Sequence, residues 1–143
     1  MAYTTEADIK KRLTERRVNS LTSDSGLDYI GSVVADCIGE ASDEIDAYLY
    51  GVVVTPLVGV IPPIIKIIAT DIAIYYLYLR RVEPDVPEQI RAMYDRRKLD
   101  LEKIRSGDLL LKIEDSITHE NPQSKVITNK RTQVFSADFY RGY

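Results

Sequence analysis

Across residues 27–50, Ile30, Val33, Val34, Cys37, Ile38, Ala41, Ile45, Tyr48 and Leu49 recur at three- and four-residue spacing. That period puts them on one face of an α-helix. The other face carries Asp36, Glu40, Asp43, Glu44 and Ala47, and Gly51 supplies a stop. Upstream, Thr5 is suited to cap a short helix with Glu6 and Asp8 in its first turn, where negative charge meets the positive end of the helix dipole. The apolar stripe of that helix is thin (Ala7, Ile9, Leu13), and the turn-rich run 19–26 ends it.

Residues 51–63 are apolar but interrupted by glycine and proline, which fits a buried connecting loop as well as a short strand. Pro63 suits the first turn of a third helix, over 64–82, whose residues are apolar on nearly every side. Such a helix lies at the centre of a bundle or is enclosed by neighbouring subunits. A proline-bounded turn at 82–87 predicts an antiparallel fourth helix from near Pro87. There Ile90, Met93, Tyr94, Leu101 and Ile104 point inward and charge is dense elsewhere, until Ser106 and Gly107 end it. Residues 108–113 form a brief apolar run able to cap the core or add one strand. The chain from Glu114 on is polar, with aromatics only near its end. The prediction is therefore an all-α bundle of about four helices, with a helical domain at 1–113 and an extended arm at 114–143 that has room for a short strand.

Composition changes this picture little. The apolar fraction of 45% is enough for one real core. A net charge of -3 lacks the Lys/Arg excess of a surface that grips phosphates tightly. With Cys37 as the only cysteine, neither an intramolecular disulfide nor a thiolate cluster can form, which suits a reducing interior. Residues 1–12 contain no apolar h-region, so no signal peptide is expected there. The apolar run 57–79 imitates a membrane span, but Pro62, Pro63, Lys66 and Asp71 fall within it. A charge at mid-membrane costs about 2.5–3.5 kcal/mol, which favours a buried helix.

Candidate chemistry is sparse. His119 has no second histidine or local ligand group, and Cys37 sits on an apolar helix face as a small hydrophobe. No phosphate loop, nucleophile elbow or zinc spacing occurs. No catalytic residue, cofactor or metal is therefore expected. Asp71 lies in the most apolar helix, so a buried carboxylate satisfied by a tyrosine hydroxyl, a backbone N–H or an arginine is expected, with a subunit-contact charge as the alternative. The acidic stripe Asp36, Glu40, Asp43 and Glu44 reads either as a solvated face or as a contact for basic groups of a neighbouring copy, such as Arg91, Arg96 or Arg97. The basic run Lys10, Lys11, Arg12, Arg16 and Arg17 raises a competing helix-turn-helix regulator, although acids on the following helix would repel phosphates.

Several segments resemble the Mu-like phage head–tail adaptor family. They are 41–49 (ASDEIDAYL), 55–57 (TPL), 62–63 (PP), 69–75 (ATDIAIY), 104–111 (IRSGDLLL) and the ending 131–143. Val52 and Val53 stand where that family often has an Arg-Tyr pair. The resemblance implies a helical protein without catalytic residues, in a ring (commonly dodecameric) beneath the portal of a tailed phage. It also implies a place in the virion neck after synthesis in the host cytoplasm. Its partners would be the portal, the next tail or neck component and genomic DNA in passage, with no membrane. A net-negative chain suits a channel through which DNA slides. The arm is too polar to fold alone, but Arg131, Phe135, Phe139, Tyr140 and Tyr143 offer anchors for a partner surface.

Overall fold

The computed structural model describes residues 1–23, 28–81 and 85–111, which form five α-helices. The all-α expectation holds, with one helix more than the four expected. The first expected helix divides into α1, Glu6–Arg12, and α2, Glu15–Thr22, with Leu13 and Thr14 in extended conformation between them. Burial supplies the physical reason. Ile9 and Val18 are both fully enclosed, but nine residues span about two and a half helical turns. A continuous helix would turn them to opposite sides; the break lets both reach the core. The expected cap is present, with the Thr5 hydroxyl and the Asp8 carboxylate each accepting the other residue's backbone N–H.

Helix α3 spans Gly31–Leu49 and buries Val34, Cys37, Ile38, Ala41, Ser42, Ile45 and Leu49, so the expected stripe is its inner face except at Ile30, which precedes the helix and is exposed. Gly51 follows with a φ of 83°, a left-handed conformation that glycine adopts without a Cβ clash. The next segment is a loop whose Val53 and Leu57 dip into the core. Among the described residues its strand-like pairing is a single parallel bridge from Tyr50 to Val53.

Helix α4 runs Pro63–Leu79 with proline in its first turn, as expected. It packs against α1, α2, α3 and also α5, Glu88–Ser106. Ile65, Ile68, Ile72 and Leu77 are fully enclosed, each contributing about 1.5–3 kcal/mol by leaving water. The other helices therefore enclose most of this helix, while Ile67 and Leu79 remain exposed on it. Helix α5 lies antiparallel to α4: Tyr94 meets Tyr76, while the later Arg97 meets the earlier Asp71. It ends at Gly107, φ 86°. Beyond it Leu110 is exposed and Leu111 packs at the core edge; Lys112 and Ile113 lie outside the described residues.

Two arginines at the end of α4 complete α2. That helix has no basic residue in its own last turn. Arg80 donates to the Leu21 and Thr22 carbonyls, and Arg81 donates to Ser20. Both place positive charge at the negative end of α2. No helix among the described residues is long and apolar enough to cross a membrane.

Candidate functional site

The polar groups divide into an interior set that joins helices and an exterior set that faces outward. Asp71 anchors the first. Its carboxylate has no exposed surface, and it accepts from Arg97 Nε of α5 at 2.6 Å. Its Oδ1 faces Arg12 of α1 as an ion contact rather than an aligned hydrogen bond. Of the partners expected for this carboxylate, arginine is the one found. Arg97 also reaches Asp100 at 2.7 Å, so two cations meet two carboxylates. Burial and the Arg97 charge pull Arg12 below its ordinary pKa.

Glu44 forms the second junction. It accepts from Tyr76 of α4 at 2.7 Å and from Tyr94 of α5 at 2.9 Å. Tyr75 stacks on Tyr94 with ring centroids 4.0 Å apart. Burial and then the Glu44 carboxylate raise both hydroxyls, Tyr94 to about 12. Tyr3 forms the third junction. Its hydroxyl donates to Asp46 and accepts the Leu57 N–H at 2.8 Å, and its own N–H donates to Ser42. Tyr3 was not singled out from sequence; a lone aromatic before a helix carries no periodic signal.

The outer face of α3 presents Asp36, Glu40 and Asp43 to solvent, whereas Glu44 turns inward. Beside it a groove of about 420 Å³ runs between α3 and α4, lined by Val33, Asp36, Cys37, Glu40, Tyr76, Leu79 and Arg80. Burial, with Glu40 and Asp36 adding to it, pushes the Cys37 thiol up to about 11. It therefore stays protonated at neutral pH, unlike a nucleophilic thiolate. No group of metal-ligating side chains converges among the described residues.

Of the basic candidates on α5, Arg91 and Arg96 are exposed, while Arg97 is taken by Asp71 inside the subunit. Arg131, Phe135, Phe139, Tyr140 and Tyr143 lie outside the described residues, as does His119. Of the basic run proposed for a DNA contact, Arg12 and Arg17 reach interior partners, Lys10 and Lys11 form surface pairs, and Arg16 is exposed. Lys10 pairs with Glu6 at 2.7 Å, Lys11 with Asp8 and Arg12 with Asp71, and Arg17 donates to the Tyr78 hydroxyl. The run is divided between two helices, Lys10, Lys11 and Arg12 on α1 and Arg16 and Arg17 on α2.

A family model described as Bacteriophage Mu, Gp36 matches residues 3–130. The chain belongs to that family. No curated protein matches it.

Proposed function

We propose, with that membership as the premise, that the chain is a structural connector of a tailed phage. It assembles as a ring in the virion neck, joins the portal to the next tail or neck component, and lets DNA pass. The single observation that carries this reading is the family match across residues 3–130. The division of polar groups supports it. The interior sets at Asp71, Glu44 and Tyr3 lock the helices of one subunit together. Charge on the outer faces of α3 and α5 remains open for neighbours. The chain acts by assembly rather than catalysis, and the arm 114–143, with its terminal aromatics, grips a partner.

The experiment is to mix the purified full chain with portal rings from the same phage and measure mass and stoichiometry by native mass spectrometry and sedimentation. A ring of this chain seated on the portal is expected. A monodisperse monomer that ignores portal rings would overturn the reading.

A further inference from the structure

Two exterior faces have complementary patterns. On α3, Asp36 and Asp43 stand seven residues apart with Glu40 between them, and all three are exposed. On α5, Arg96 and Lys103 are likewise exposed and seven apart, with Leu99 between them. Seven residues are about two helical turns, about 10.5 Å, so both pairs span the same length. None of these five charged groups forms an ion pair among the described residues.

Leu99 is 55% exposed on the most charged helix of the chain. By helical spacing Arg96 and Lys103 flank it on one side, and Asp95 and Glu102 on the other. On α3, Val33 and Cys37 lie on the flank of Glu40 that opens into the groove with α4. There Leu79, itself 53% exposed, adds an uncovered apolar wall. One subunit thus offers an apolar knob with a basic flank, and also an apolar groove whose α3 rim is acidic and whose far end holds Arg80, which donates to the α2 carbonyls.

We propose that these faces are the two halves of a contact between copies of this chain. Leu99 of one copy enters the α3–α4 groove of the next, and Arg96 and Lys103 meet Asp36, Glu40 and Asp43 on its rim. Asp95 and Glu102 fix the direction, because the reversed orientation sets them against the acidic rim. Helices α3, α4 and α5 each pack on the other two, so the outer faces of α3 and α5 point to different sides of the subunit. A contact between two different faces is heterologous, the type that forms a ring when its rotation closes. This inference rests on the connector reading and names the surfaces it requires.

The test uses two full-chain variants with portal rings present as template. Asp36→Lys/Asp43→Lys reverses the rim, and Arg96→Glu/Lys103→Glu reverses the flank. Each alone is expected to weaken ring formation at least tenfold, since like charges then meet at every contact. Mixed in equal amounts they are expected to assemble, because each altered face finds its match on the other variant. Leu99→Lys is the third arm and is expected to dissociate rings through the knob alone; circular dichroism melts establish that each variant is folded. Folded variants that assemble as the natural chain does, or a mixture that stays dissociated, overturn this interface and leave the connector reading standing. A natural chain that never oligomerises, even beside portal rings, overturns both.

Discussion

Helices α4 and α5 are 17 and 19 residues long and lie side by side, yet their surroundings differ sharply. Ten residues of α4 are buried, against Leu101 and Ile104 alone on α5. Helix α4 is held by four other helices and has the two charged residues Lys66 and Asp71, while α5 is charged along most of its length. The contrast separates two roles that composition merges. The apolar helix holds the fold together, and the polar one supplies the surface proposed to meet partners. Substitutions in α4 should therefore register as stability, and those on the outer face of α5 as association.

The largest expected effect is a truncation in α4. Ile72→Ala removes a fully enclosed side chain and leaves a cavity among helices that relax only in part. A loss of roughly 4 kcal/mol is expected, read from the midpoint of urea unfolding with its slope unchanged. A loss under about 1 kcal/mol would mean that α4 is loosely packed and that its contrast with α5 is shallow.

Asp71→Ala comes next. It leaves Arg12 and Arg97 partly buried without the carboxylate between them, and roughly 3 kcal/mol is expected to be lost. Asp100 still pairs with Arg97, which keeps the effect below that of the cavity. Asp71→Leu with Arg97→Met removes both charges and is expected to recover much of the loss. Failure of the double variant to recover would place the loss in Arg12, left without Asp71, or in Asp100, left without Arg97.

How much of this was legible in sequence follows the same division. The stripe of α3 and the all-round apolarity of α4 recur over many residues, so both helices could be read directly, but only the stripe of α3 told inner residues from outer ones. Asp71 stood out because a carboxylate inside an apolar run needs a partner, but its arginines come from residues 12 and 97, and no local pattern links such distant positions. The break at Leu13 and Thr14 was missed because burial on opposite sides, not a proline or glycine, imposes it. Arg97 looked like an outer-face cation among its basic neighbours; only the packing of α5 on α4 turns it inward. Leu99 carried too weak a signal, one apolar residue among charges, and its exposure is what singles it out.

A smaller effect tests the joint between the two helices by pH. Burial and Glu44 raise Tyr94 to about 12, above the unfolded tyrosine value of about 10. The folded state thus keeps a proton that the unfolded state releases. Stability from this junction is fully present below about pH 10 and falls as pH climbs toward about 12. Each such tyrosine contributes a slope of at most about 1.4 kcal/mol per pH unit. Thermal midpoints measured at intervals from pH 8 to 11.5 should be flat and then decline. Tyr94→Phe should make the decline shallower, and an unchanged decline would place the titration in other groups.

The smallest expected effect on the isolated fold is at Leu99, where the contrast between the helices is sharpest. Leu99→Ala removes about as many carbons as the change at Ile72. However, this side chain is 55% exposed, so little of its surface leaves water when the subunit folds. Alanine also has the higher helix propensity, by a few tenths of a kcal/mol. The two terms nearly cancel, and unfolding should move by less than about 0.5 kcal/mol. The same substitution removes the apolar knob proposed to enter the α3–α4 groove, so it should lower ring occupancy on portal templates while melting remains as in the natural chain. A large loss of stability would instead place Leu99 in the subunit core and erase the distinction between α5 and α4 at this position.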